Sequence, residues 1–249
     1  MPLIFERSFM DIIAEAGLNH DGNLNKAIDM IRIVKESGAN IVKFQYYLVD
    51  FLCADRNDYS AYDLLKRLCP KPQWIPILAD ECERQGLEFL CTAFCRYSVE
   101  EIAQYVRRFK IASPEAANLD FVRHVAEYGK PLIISTGKIG DEQIRKILDA
   151  VTVPVTLLVC VSRYPALPSE YKLSEIKRLK KKFGVSVGVS CHCQGIKNVL
   201  DAVDKGADVI EKHFMLKNDT KCVDSAVSLE PDTFLKMTQI IRGKYGKRN

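Results

Sequence analysis

Hydrophobic and polar positions along this chain alternate between two rhythms. Short β-branched or apolar runs stand at 11–14, 40–45, 87–92, 108–112, 131–135, 155–159, 186–189 and 208–213, and longer segments with helical spacing fill the gaps. Such runs read as buried strands, and their regular exchange with helices is the pattern of βα units around a parallel sheet. The first helix, expected over 23–37, places Ala27, Met30, Ile31 and Val34 on one face at i, i+3, i+4 and i+7. It stops at Gly38, and Gly86, Gly129 and Gly206 repeat that stop. Glycine closes helices because it alone enters the left-handed region without strain.

Eight strands close a barrel, whereas a doubly wound sheet commonly has fewer. The fold class expected is therefore α/β, a single (β/α)8 TIM barrel forming one domain over residues 1–249. The irregular stretch 46–72, with a short helical pattern at 62–68, is expected to form a long loop after the second strand.

Composition narrows the function classes. With 47% hydrophobic and 27% charged residues the chain is ordinary globular protein, and only the last few residues, 243–249, are expected to fray. The net charge of +4 is spread over helical segments such as 177–182, which read as solvated faces, so nucleic acid is not an expected partner. No apolar run approaches the roughly 18–20 residues of a membrane helix. The N-terminal stretch lacks the basic start and cleavage site of a signal peptide, so no membrane association and a cytoplasmic location are expected. Nine scattered cysteines, an odd number, point to reduced thiols.

In a barrel of this kind reactive groups collect at the C-terminal strand ends. Glu15, Asn19 and His20 follow the first run, Lys43 and Gln45 end the second, and Thr92 ends the third. Lys110, Ser113 and Glu115 follow the fourth, Ser135 and Thr136 the fifth, and Ser162, Arg163 and Tyr164 the sixth. Ser190 and His192 follow the seventh run, and Glu211 and His213 end the eighth. Strand side chains alternate, so Lys43 and Gln45 share a face opposite Val42 and Phe44, and Glu211 and His213 one opposite Ile210 and Lys212. The polar sets are expected to point inward. An inward lysine needs an anion, which makes Lys43 and Lys110 a clamp for phosphate and carboxylate oxygens, or else partners of a buried carboxylate such as Glu15. His192 and His213, two of only four histidines, stand beside Glu211 as ligands for a divalent ion; hydrogen bonding alone is the other reading.

At these residues the chain resembles the N-acetylneuraminate synthase family, phosphoenolpyruvate-dependent synthases of sialic, legionaminic and pseudaminic acids. The resemblance spans about 12–231: "IIAEAGLNHDG" is similar to the family's E-x-G-x-N-H-x-G, "FKIASPE" to its K-I-x-S-x-E and "KPLIISTG" to its S-T-G turn, with "GANIVKFQ", "YP", "EKHF" and "SLEP" also matching. It implies that Lys43, Thr92, Lys110, Ser113, Ser135 and Ser190 hold phosphoenolpyruvate and that His192 and His213 bind manganese or magnesium. It also implies the reaction. C3 of phosphoenolpyruvate attacks the open-chain aldehyde of an amino sugar such as N-acetylmannosamine or a dideoxy-diacetamido hexose, water adds at C2, and phosphate leaves. Glu115 is the expected general acid/base, unless it only caps a helix over 116–128, with Lys110 beside it and Glu15 as second base or sugar ligand. Gln45, Ser162, Tyr164 and Asp224 complete the expected substrate contacts.

The chain also departs from the family. "SCHC" replaces S-D-H-T and puts Cys191 and Cys193 around His192, "VC" replaces H-C at Val159 and Cys160, and Ser162 replaces an asparagine. Where the family reads G-P-D the chain has Cys222, Val223 and Asp224. Thiolates beside His192 would favour zinc or iron, unless both are merely small neutral side chains. The family continues into an antifreeze-like domain that caps the partner subunit's site and lends it an arginine, and this chain is expected to lack that domain. Closure is then expected from 46–72, from 217–227 with Arg163 as the cation, or from a homodimer partner or separate capping protein. Two further readings stay open: an aldolase with Lys110 or Lys43 as Schiff base, and a non-catalytic or partner-dependent barrel.

Overall fold

The computed structural model describes residues 10–245. Its strands are β1 Asp11–Gly17, β2 Ile41–Tyr46, β3 Glu88–Ala93, β4 Phe109–Ile111, β5 Leu132–Ser135, β6 Val155–Cys160, β7 Ser186–Cys191 and β8 Val209–His213. All neighbours are parallel and β8 returns to β1, so the sheet closes as a (β/α)8 barrel. The helices are α1 Leu24–Glu36, α2 Val49–Arg56, α3 Tyr62–Leu68, α4 Trp74–Arg84, α5 Arg96–Ile102, α6 Leu119–Ala126, α7 Asp141–Ala150, α8 Ser174–Phe183, α9 Lys197–Asp204 and α10 Pro231–Tyr245.

Two hydrophobic layers follow from the strand period of two. Outward residues such as Ile12, Ala14, Val42 and Phe44 pack under the helices, where they meet the α1 stripe Ala27, Met30, Ile31 and Val34. Inward, Ile13, Ile41, Leu90, Ile133, Leu158 and Val209 form a separate layer across the barrel. Below it, Arg108 closes the other mouth by bonding Asp11 at 2.7 Å and Glu88 at 2.6 Å. Two residues further along the same strands stand Glu15, Lys43, Thr92, Ser135, Cys160 and Glu211. The apolar layer is thus the floor on which the polar strand ends rest, and it excludes water from beneath them.

The expected helix stops hold: Gly38, Gly86, Gly129 and Gly206 all have positive φ. Of the α8 lysines, Lys177, Lys181 and Lys182 are exposed, the solvated face expected, whereas Lys180 is half-buried and bonds the Gly206 carbonyl and Asp208. All nine cysteines are free thiols. No described helix is long and apolar enough to cross a membrane. The stretch expected to fray, 243–249, continues α10 as far as 245, and 246–249 and the N-terminal 1–9 lie outside the described residues.

Two expectations need correction. The 46–72 stretch holds two helices; α3 falls at the predicted place, while α2 escapes the pattern because only Leu52 and Cys53, adjacent rather than a turn apart, are buried among its described side chains. The helix expected over 116–128 is broken: Glu115–Ala117 is a 3₁₀ turn, and α6 begins after Asn118, whose Oδ1 accepts from the Phe121 N–H at 3.1 Å. That cap satisfies a backbone donor which a continuous helix would have used internally. Glu115 is therefore not the N-terminal carboxylate of α6.

Candidate active site

The strand ends open into a cavity of about 250 Å³. Twelve of the expected site residues line it: Glu15, Lys43, Gln45, Thr92, Lys110, Ser113, Ser135, Ser162, Tyr164, Ser190, His192 and His213. Register explains the convergence, since Glu15 pairs with Lys43 and His213, Gln45 with Thr92, and Thr92 with Lys110.

The two lysines differ. Lys43 Nζ lies 2.7 Å from Glu15 Oε2, 3.7 Å from Glu211 Oε2, and donates to Thr92 Oγ1 at 3.2 Å. Burial works against its ammonium, but Glu15 and Glu211 outweigh burial and hold its pKa above the ordinary lysine value. The alternative reading of Lys43, partner of a buried carboxylate, is the arrangement observed. Lys110 Nζ instead donates to Ser135 Oγ at 2.8 Å and to the Ile111 carbonyl at 3.3 Å. Burial dominates there and depresses its pKa despite the field of Glu211.

Glu211 accepts from Ser190 Oγ at 2.7 Å. Burial alone would raise its pKa, yet Lys110, Lys43 and the Ser190 hydroxyl together hold it below the carboxylate range. Two ammonium groups and two carboxylates thus balance at the barrel mouth. Beside them, Ser113 Oγ accepts from the Gly137 N–H at 2.9 Å. A Cβ on Gly137 would stand 2.7 Å from Ser162 Oγ and 3.0 Å from Ser113 Oγ, so only glycine leaves these hydroxyls room.

The histidines occupy the far wall. His192 Nδ1 is 2.7 Å from the Val161 carbonyl and so carries the proton, which leaves the Nε2 lone pair 2.9 Å from the Tyr164 hydroxyl that donates to it. Burial, reinforced by His213, lowers the His192 pKa to about 3, so the ring is neutral near pH 7. The Tyr164 ring stacks on His192 at 4.1 Å and meets His213 edge-on at 5.5 Å. The two imidazole centroids are 5.4 Å apart, and His213 Nδ1 lies 3.3 Å from Asp224 Oδ2. Asp224 does not line the cavity wall itself. Its carboxylate nevertheless closes a cradle over Gly17, where a Cβ would meet Glu15 Oε1 at 3.3 Å, Gln45 Nε2 at 3.4 Å and Asp224 Oδ2 at 3.5 Å.

Among the described residues no group of three or more His, Cys, Asp or Glu is set around a metal position. The two imidazoles still fit a divalent ion in part. His192 Nδ1 is held by the Val161 carbonyl, the outer contact that orients metal-binding histidines, while its Nε2 would have to exchange the Tyr164 hydroxyl for an ion; His213 Nδ1 only lies near the Asp224 carboxylate. Two nitrogen donors leave the remaining coordination to substrate oxygens and water.

Other expected residues stand outside this cavity. Glu115 lines a neighbouring cleft with Phe51, Phe94, Tyr97 and Phe121 rather than the strand-end cavity. Arg163, 61% exposed, is paired to Glu170 at 3.0 Å and does not line the cavity. Cys191 and Cys193 belong to the outer core, because strand alternation turns both away from the side that His192 faces. Soft-metal ligation by these thiols therefore has no support in the geometry. Conversely, the central place of Glu211 was undervalued by sequence reasoning; its signal was its position two residues beyond inward Val209.

The NeuB family profile matches residues 30–245. The chain is 34% identical over 252 residues to the N,N'-diacetyllegionaminic acid synthase of Legionella pneumophila, covering 93% of this chain and 71% of that protein. It is 34% identical over 248 residues to the pseudaminic acid synthase of Campylobacter jejuni, covering 93% and 72%. The crystal structure of an N-acetylneuraminic acid synthetase from Leptospira borgpetersenii in complex with citrate superposes with a TM-score of 0.90 at 31% identity, covering 96% of this chain and 84% of that one. On profile, identity and fold together, this chain belongs to the NeuB family of sialic acid-type synthases.

Proposed function

We propose that the barrel condenses phosphoenolpyruvate with an open-chain acetamido sugar to give a nonulosonic acid and phosphate. The observation that carries this reading is Lys110, a buried lysine bonded to a hydroxyl and a carbonyl, in the same cavity as the polar side chains of Glu15 and Gln45, with the Asp224 carboxylate close by over Gly17. Among the described residues no carboxylate forms an ion pair with the Lys110 ammonium, although Glu211 acts on it from further off, and a buried cation so placed favours an anionic ligand, here the phosphate and carboxylate of phosphoenolpyruvate. Ser135, Ser113, Ser190 and Thr92 offer hydroxyls to the same oxygens. Gln45 and Asp224 hold sugar hydroxyls and fix the aldehyde carbon against C3.

The C2–C3 π electrons form the new bond to the aldehyde carbon, while the C=O π electrons pass to the aldehyde oxygen, which takes up a proton from solvent. Water then adds at the electron-poor C2 and passes one proton to a carboxylate; the C2–O bond to phosphate breaks with its electron pair on phosphate, which takes the remaining C2 hydroxyl proton as the keto group forms. We assign the proton-accepting role to Glu15, because Glu115 faces the adjoining cleft. His192 and His213 would hold a manganese or magnesium ion, which when bound supplies Lewis acidity toward the aldehyde oxygen. The balanced charges of Lys43, Lys110, Glu15 and Glu211 support this, since a substrate with two anionic groups brings net charge that an added cation offsets.

Phosphate release from phosphoenolpyruvate, manganese and a panel of aldoses including N-acetylmannosamine tests the reading. His192→Ala and His213→Ala should each abolish release and lower bound metal with the fold intact. Undiminished release by both variants without metal would sink it. The depressed pKa of Lys110 favours one second reading, a Schiff-base aldolase. Borohydride trapping of a carbonyl substrate on Lys110, together with indifference to chelator, would establish that reading instead.

A further inference from the structure

Asp224 reaches the site from the segment that follows β8, far in sequence from Glu15 and Gln45, so something must fix that segment against β1. Asn19, fully buried in the turn after β1, touches it at three points. Its Oδ1 accepts from the Asp224 N–H at 3.0 Å, and its Nδ2 donates to Ser228 Oγ and to the Phe214 carbonyl, both at 2.9 Å. Ser228 Oγ in turn donates to the Asp224 carbonyl at 2.7 Å. The backbone N–H and C=O of Asp224 are therefore both held by the Asn19–Ser228 pair. A second tie lies outside, where Lys26 pairs with both Asp21 of the first turn and Asp219 of the second segment.

We propose that Asn19 is a positioning residue for the sugar: it sets Asp224 against His213 and over Gly17, and so governs aldose recognition while leaving phosphoenolpyruvate binding alone. Both its amide hydrogens and its carbonyl oxygen are committed to protein partners, and the side chain is closed to solvent, so it has nothing left to offer a substrate. The phosphoenolpyruvate groups Lys110, Ser135 and Ser113 stand on strands and turns that Asn19 does not touch. The inference rests on the proposed condensation for its kinetic consequence, but the tie itself can be measured without turnover.

The test uses the whole chain, with Asn19→Ala, Ser228→Ala, Asp224→Ala and the double variant Asn19→Ala/Asp224→Ala. Losing the Asn19 bonds should raise the aldose KM about tenfold while the phosphoenolpyruvate KM stays within about twofold. Ser228→Ala, a milder change should Asn19→Ala fold poorly, should shift the same constant in the same direction. In the Asp224→Ala background, adding Asn19→Ala should change the aldose KM no further, since a residue acting through Asp224 has nothing left to act on. Amide hydrogen exchange at Asp224 should accelerate in Asn19→Ala and Ser228→Ala. Additive effects in the double variant, or equal shifts in both KM values, would overturn the positioning role. Unchanged Asp224 exchange in both variants would overturn the tie, whether or not any aldose releases phosphate; absence of phosphate release with accelerated exchange would count against the condensation and leave the tie standing.

Discussion

Lys43 Nζ lies 2.7 Å from Glu15 Oε2, and that contact separates two lysines which look equivalent along the chain. Lys43→Ala would leave Glu15 and Glu211 buried without their nearest cation. It should cost about 3–5 kcal/mol of stability. Lys110→Ala removes a cation that burial already disfavours, so its cost should fall on phosphoenolpyruvate, at about 1.5–3 kcal/mol per lost charge-assisted bond. Chemical denaturation and calorimetry on both variants check this; the reverse ranking would make Lys110 the structural lysine.

A second expectation concerns acid. His20 is fully buried, packs edge-on against Trp74 with centroids 5.6 Å apart, and its Nδ1 accepts from the Gly22 N–H at 3.1 Å. Burial lowers its pKa to about 4, partly opposed by Asp21. Because the folded pKa lies below the unfolded value of 6.5, the unfolded chain binds more protons between these limits, and stability is lost as pH falls from 6.5 toward about 4. The loss should reach about 3 kcal/mol. Equilibrium unfolding across that window should show a shallower acid decline in His20→Phe, and equal slopes would mean that His20 is not responsible.

Much of this architecture was legible because one rule governs both fold and site. Apolar Ile13, Ile41, Leu90, Ile133, Leu158 and Val209 each precede a polar inward residue by two positions, so the pattern that marks the strands also points at the cavity. What the pattern does not carry is pairing between distant polar groups. Nothing in the spacing shows that Glu15 reaches Lys43 rather than a sugar, or that Asn19 ties down Asp224 across 205 positions. The surroundings of Glu115 were illegible for a local reason: it opens a 3₁₀ turn at Glu115–Ala117 and lines the neighbouring cleft, and such a turn has no apolar period to announce it.

The thiols flanking His192 supply a third expectation. Both are buried in the outer core, and Lys212 Nζ, behind the barrel wall, bonds to the Cys191 and Cys193 carbonyls. Cys191→Ala and Cys193→Ala should lose about 1–2 kcal/mol of stability each by leaving small voids. Manganese content by elemental analysis should match the unaltered protein. A fall in bound metal in either variant, at equal folding, would place that thiol among the ligands.

The two cradle glycines allow the halves of the site to be disturbed separately. Gly137 has no special backbone conformation to lose, so Gly137→Ala acts only by pressing its methyl against Ser162 Oγ, Ser113 Oγ and the Cys160 carbonyl, the last at 3.1 Å. Hydroxyls can turn aside, but Ser113 would then leave the Gly137 N–H. Phosphoenolpyruvate affinity should fall by about tenfold, with aldose KM nearly unchanged. Gly17 instead has φ +52°, in the bulge where the pairing of β1 with β2 shifts register between Glu15 and Gly17. Alanine there adds backbone strain of about 1 kcal/mol and also fills the space among Glu15, Gln45 and Asp224. Gly17→Ala should therefore raise aldose KM by tenfold or more, while phosphoenolpyruvate affinity, resting on Lys110, Ser113 and Ser135, moves about twofold at most. Calorimetric titration of phosphoenolpyruvate and steady-state kinetics with varied aldose read the two effects separately. If both variants impair both substrates alike, the cavity is one undivided subsite and the separation between a Gly137 half and a Gly17 half does not hold.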